Sequence, residues 1–142
     1  MTPHRPLAAA LLALLLLAAP ASSARAEDRS IGITPDEITY TQIPRLGSGI
    51  ILHGDPAKRG HYVIRLNVAP NIDVGPHTHP HDEHVTGISG AIGFGHGPVF
   101  DKAKGRMLPA GSYYFLPAGT RHFAWTGPEG AVIQAHGRGP FP

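Results

Sequence analysis

The sequence predicts an all-β protein, a single double-stranded β-helix barrel of the jelly-roll type, on three observations. Glycine and proline are abundant, 18 and 15 in 142 residues, and they recur between short apolar runs, as a fold with many tight turns requires. The segment His61 to Ala69 alternates, with Tyr62, Ile64, Leu66 and Val68 on one side and His61, Val63, Arg65 and Asn67 on the other. That is the period of a strand packed on one face. No long helical periodicity follows the N-terminal run of Leu and Ala. A small barrel answers all three, because closure shields sheet edges while leaving a ligand-sized interior.

Residues 1 to 26 read as a signal peptide, outside the fold. Arg5 lies in a short cationic head, Leu7 to Ala19 form an apolar run of 13 residues, and Ala24-Arg25-Ala26 is a small-x-small cleavage signature before Glu27. The run is shorter than the roughly 20 residues a membrane-spanning helix needs, so the mature protein is expected to be periplasmic or secreted and free of the membrane. No cysteine is present, which excludes disulfides and a Cys-linked lipid anchor. Removal of the leader takes away Arg5 and Arg25, leaving 10 Lys and Arg against 10 Asp and Glu. A formally neutral domain offers no clustered basic surface for nucleic acid. Lys102, Lys104 and Arg106, interrupted by Gly105, form the nearest thing to a basic run and read as a solvated turn.

The remaining residues 27 to 142 suffice for one domain with a core. Thr34-Pro35-Asp36-Glu37 has a cap, a proline at the first helical position and acidic residues in the first turn, and predicts one helical turn. Strands are then expected over 38–43, 49–52, 61–69, 83–89, 91–94, 112–116, 122–126 and 131–136, most of them bounded by Gly or Pro. Ser89-Gly90 reads as a tight hairpin between two of these, and Pro117-Ala118-Gly119 as a turn.

Four side chains suited to a metal stand at strand-compatible spacing. His77 and His79 are two apart, so on an extended backbone both imidazoles leave the same face, and Glu83 follows past a short bend. His122 comes from a distant strand. Imidazole nitrogens with one carboxylate oxygen suit one divalent transition metal among Fe(II), Mn, Zn, Ni and Cu(II). In sequence, a closed structural metal site looks the same as an open one.

At these residues the chain resembles the cupin superfamily, whose motifs read G-x5-H-x-H-x(3,4)-E-x6-G and G-x5-P-x-G-x2-H-x3-N. The first fits from His77 through His79, Glu83 and Gly90, and the second from Gly111 through Pro117, Gly119 and His122. The leading Gly of the first falls at Asn71, with Gly75 displaced toward the histidines, and the closing Asn of the second falls at Thr126. Neither position supplies a metal ligand in the family. The resemblance implies a cupin barrel whose ion keeps two open coordination positions for water, dioxygen or a chelating substrate.

Ten histidines are too many for one ion. His84 follows Glu83 directly and so is expected on the opposite face. His81 lies in the bend and suits a loop, or a hydrogen bond that orients a ligand. His53, His61 and His96 lack a partner at ligand spacing and are expected in solvent. Val132, Gln134 and His136 share one face of the last strand. If that face lines the barrel, Gln134 and His136 are the candidate catalytic groups, orienting a substrate or moving a proton beside the metal. Tyr113, Phe115, Phe123 and Trp125 are expected to pack the barrel.

Two function classes follow. One is a metal-dependent enzyme, foremost a dioxygenase-type oxidoreductase acting on a small organic molecule, with metal-assisted isomerases and hydrolases in the same class. The other is a non-catalytic cupin that binds a metal or captures a small ligand. In both the partner is a small molecule, and a homodimer is a possible assembly.

Overall fold

The structure, a computed structural model, describes residues 30–141; the expected leader over residues 1–26 lies outside the described residues. From Gly32 onward the chain is one compact unit. Thr34 begins it as expected: its backbone N–H and its hydroxyl both meet the Glu37 carboxylate at 2.7 Å, and Pro35–Glu37 form one 3₁₀ turn. Among the described residues, no helix is long and apolar enough to cross a membrane.

Eight strands follow: β1 Thr41–Ile43, β2 Gly47–His53, β3 Gly60–Val68, β4 Asp73–His77, β5 Glu83–His96, β6 Gly105–Pro109, β7 Tyr113–Leu116 and β8 His122–Gly139. All pairings are antiparallel, in the order β1-β2-β3-β8-β5-β6. β8 pairs with β5 along one edge, and its other edge is shared by β4 toward His122 and β3 toward Gly139. β5 likewise divides its free edge between β7 and β6. Two long strands that change partners midway curl the sheet around an apolar interior that includes Val68, Val85, Ile92, Phe94, Leu116 and Ile133. The alternation expected in β3 is present: Tyr62 and Val68 are buried and His61 and Asn67 are not.

Several elements differ from expectation. Ser89-Gly90 is no hairpin: β5 runs through it, and the ladder to β8 slips between Gly87 and Ser89 and again between Gly90 and Ile92. These are bulges, which bend a strand without ending it. Gly90 has φ 65°, and a Cβ there would lie 2.2 Å from the carbonyl oxygen of Gly130, itself at φ 67°. The bend therefore needs glycine both for its backbone and for its space. The segments 122–126 and 131–136 are likewise one strand. β4 and β6 were not expected, and Lys102–Lys104 form a 3₁₀ turn in which Lys102 Nζ lies 2.8 Å from Asp73 Oδ1.

In the last strand the condition on which Gln134 and His136 were candidate catalytic groups is not met. Gln134 and His136 face outward; the buried set is Ala131, Ile133 and Ala135, at 4%, 5% and 2% exposure. Of the two faces of β8 here, only this one is wholly apolar, and burying it avoids the cost of placing unpaired polar groups inside.

Candidate metal centre

β4 and β8 set two candidate ligands side by side. His77 ends β4 opposite His122 at the start of β8, with ring centroids 4.3 Å apart. His79 lies just beyond β4, its ring 4.8 Å from His77 and 5.0 Å from His122. One nitrogen from each of the three lies within 4.8 Å of the others, an arrangement that can hold a metal ion. Glu83 opens β5, is only 7% exposed, and brings Oε2 to 3.6 Å from His79 Nε2. The structure thus gathers His77, His79, Glu83 and His122 in one place.

Backbone carbonyls fix which nitrogen faces the centre. His77 Nδ1 lies 2.8 Å from the carbonyl oxygen of Gly75, and His122 Nδ1 lies 3.0 Å from that of Thr120. A carbonyl can only accept, so Nδ1 carries the proton in both rings and the Nε2 lone pair is left for a cation. This is the donor set of a divalent ion, and the residues fit one.

Electrostatics agree. Burial, reinforced by His77 and His122, pushes His79 down to about 4. Burial pushes Glu83 up to about 7. His122 is lowered as well, chiefly by burial, with the Thr120 carbonyl opposing and His77 and His96 adding to the effect. The Glu83–His79 contact is therefore not an ion pair in the metal-free protein, since both groups are driven toward neutrality at a separation too long for a hydrogen bond. A bound cation removes the burial penalty on the carboxylate and needs the imidazole neutral, as it already is.

Two further bonds lock the ligand-bearing segments together. The Gly119 N–H donates to the carbonyl oxygen of His79 at 2.8 Å, and the Ala118 N–H donates to Asp82 Oδ1 at 2.8 Å. The motif departures are explained by the same region. Asn71, where the family has glycine, adopts φ 54°, a left-handed conformation that asparagine tolerates. Thr126, where the family has asparagine, is 2% exposed; its hydroxyl accepts from the Ile72 N–H at 3.0 Å and donates to the Ala69 carbonyl at 2.6 Å.

Above the ligands is a cavity of about 290 Å³ walled by Val68, Val74, Val85, Ile92, Trp125 and Ile133 among others. Among the described residues, its titratable lining residues are His77, His79, Glu83 and His122. Gln134 and His136 take no part: Gln134 Oε1 accepts from Arg65 Nη2 at 2.8 Å, and exposed His136 stacks on His84 at 4.9 Å and 8°. His84 points outward as expected, bonded through Nδ1 to the Tyr113 hydroxyl at 2.6 Å. His53, His61 and His81 are exposed. His96 is exposed too, yet its Nε2 meets the Tyr114 hydroxyl, a pairing that spacing alone gives no sign of. Phe123 is fully buried against Phe100, whereas Tyr113 and Phe115 are exposed on the outer face. Sequence reasoning also missed Phe141, which lines the cavity and stacks on His79.

No family-level sequence profile matches the chain, and no curated protein matches it. Solved structures do. KdgF from Halomonas sp. superposes with TM-score 0.61 at 18% identity, covering 76% of this chain and 93% of its own. An RmlC-like cupin from Shewanella frigidimarina gives 0.61 at 15% identity, with 75% and 87% covered. The polyketide cyclase RemF from Streptomyces resistomycificus gives 0.64 at 18% identity, with 80% and 82% covered. At such identities the likeness shows the fold alone, and it is to the same fold that the two histidine-bearing motifs point: this chain has the cupin fold.

Proposed function

We propose that this protein is an exported, metal-dependent cupin enzyme, an oxidoreductase of the dioxygenase type acting on a small, largely apolar organic molecule. The observation that carries the proposal is the three-histidine group at the floor of an apolar cavity, with Glu83 beside it and Nε2 lone pairs of His77 and His122 left free. His77, His79, Glu83 and His122 would hold one divalent transition metal. Such an ion supplies Lewis acidity and, if redox-active, electron transfer to dioxygen. The chain's part is to orient the substrate: apolar walls grip its hydrocarbon body, leaving its oxygen atoms to face the ligand cluster. Export rests on the leader pattern over residues 1–26. That the fold hosts small-molecule enzymes such as a polyketide cyclase is consistent with this assignment, although function resides in the site and not in the fold.

Among the described residues the titratable groups lining the cavity are the four candidate ligands, so turnover would rest on the ion they hold. The same feature keeps a second function in view, capture of a small molecule without turnover. Elemental analysis of protein from its native compartment, followed by oxygen-uptake assays over phenols, diketones and thiols with the metal so identified, separates them. Substrate-dependent oxygen uptake that disappears in His122→Ala supports the enzyme; calorimetric binding of a panel compound without uptake supports capture.

A further inference from the structure

The three imidazoles of the metal group are not held alike. His77 and His122 each rest Nδ1 on the carbonyl two residues earlier in the chain. His79 makes no such bond: its Nδ1 is buried without a hydrogen-bond partner among the described residues. An imidazole lacking that anchor can turn about its Cβ–Cγ bond unless packing prevents it.

Packing comes from Phe141. Its ring lies against that of His79 at 4.4 Å between centroids and 27° between planes, a stacked contact, while the rings of His77 and His79 stand at 74° to each other. Phe141 is itself well placed. Its backbone N–H donates to the carbonyl oxygen of Pro56 at 2.6 Å, and its ring lies 5.6 Å from that of Tyr62, which is 1% exposed. Just before it, Gly139 passes so close to the 56–58 turn that a Cβ there would sit 2.1 Å from the carbonyl oxygen of Lys58.

We propose that Phe141 is the positioning residue of His79, its ring fixing by stacking the orientation that carbonyl oxygens fix for His77 and His122. The expected effect on metal affinity rests on the metal-centre proposal above; the effect on the ring itself does not.

The test compares wild type, Phe141→Ala, Phe141→Leu and Phe141→Tyr in the full chain. In metal-free protein, NMR of the imidazole groups is expected to show His79 ring protons shifted upfield by the Phe141 ring in wild type and Phe141→Tyr. That shift is lost in the Ala and Leu variants while the His122 signals stay in place. Titration with Co(II) is expected to show affinity about tenfold weaker for Phe141→Ala, as for other loss of support behind a ligand. Phe141→Tyr binds like wild type. Phe141→Leu keeps an apolar side chain and so guards against simple misfolding; if it binds Co(II) as wild type does, stacking is not what holds His79 and the proposal is overturned. Unchanged His79 signals in Phe141→Ala overturn it too. If the signals change as expected but wild type binds no Co(II), the metal-centre proposal fails and the positioning of His79 by Phe141 stands.

Discussion

Asp82 and Ala118, 36 residues apart in sequence, are joined by a 2.8 Å hydrogen bond that ties the segment carrying His79 and Glu83 to the turn before His122. The carboxylate accepts a backbone N–H, so it acts as a brace between two loops. Asp82→Ala is expected to cost about 1 kcal/mol of stability, the usual net worth of an exposed hydrogen bond, and to weaken metal binding. Asp82→Asn retains an acceptor and is expected to fall between. Thermal melts with metal titrations decide it, and wild-type affinity in Asp82→Ala would show that the bond is not needed to hold the site.

Loss of any one of His77, Glu83 and His122 to Ala is expected to reduce metal occupancy sharply, because the remaining donors no longer enclose an ion. His84→Ala and His136→Ala are expected to retain wild-type metal content and wild-type turnover, since both rings lie on the outer face. Metal analysis of the purified variants measures the first. Impaired turnover in His136→Ala would show that the outer face matters to chemistry.

Acidity acts on the site through Glu83 and His79 in opposite senses. Glu83, raised by burial from 4.5 to about 7, contributes stability to the metal-free fold that is full below 4.5 and lost as pH rises through 7. His79, lowered by burial, His77 and His122 from 6.5 to about 4, contributes stability that is present above 6.5 and lost as pH falls through 4. Between 4.5 and 6.5 the two slopes oppose, so this pair is expected to leave the metal-free melting midpoint nearly flat. Metal affinity behaves otherwise. Below about 7 Glu83 must release a proton to coordinate, and affinity is expected to drop about tenfold per pH unit from that group. Calorimetry near pH 6 in buffers of different ionisation enthalpy is expected to report proton release that Glu83→Gln reduces.

Thr126→Val keeps the shape of a buried side chain and removes its hydroxyl. The Ile72 N–H and the Ala69 carbonyl lose their partner together, a loss of about 1–3 kcal/mol when such groups are left unpaired in the interior. Metal content is expected to be unchanged, as Thr126 does not line the cavity. Denaturant unfolding measures the loss; a wild-type midpoint would mean that water replaces the hydroxyl.

The gathering of His77, His79 and His122 was legible because metal chemistry imposes residue type and spacing together, and Glu83, recognisable by the same spacing, lies beside His79. Strand ends were less so. A glycine at a bulge and a glycine at a hairpin look alike in sequence, and only the partner strand distinguishes them, so Gly90 was misplaced. The orientation of the last strand was available in principle, since Ala131, Ile133 and Ala135 form its wholly apolar face. Phe141 was not legible at all, because its contact with His79 joins positions far apart by a route that no local pattern records.

β8 has a kinetic meaning as well. It is the last strand and its ladders reach back to β3, β4 and β5, so the sheet stays open along three edges until residues 122–139 dock. The pairings of β2 with β1 and β3, and of β5 with β6 and β7, can form without it, but they cannot be joined. Dependence on such non-local pairing is expected to make folding slow, with times of roughly milliseconds to seconds. One docking event brings His122 to His77 and carries Phe141 to His79. A partly folded chain lacking it has neither a continuous sheet nor a site, and what it exposes meanwhile is unpaired backbone open to wrong partners.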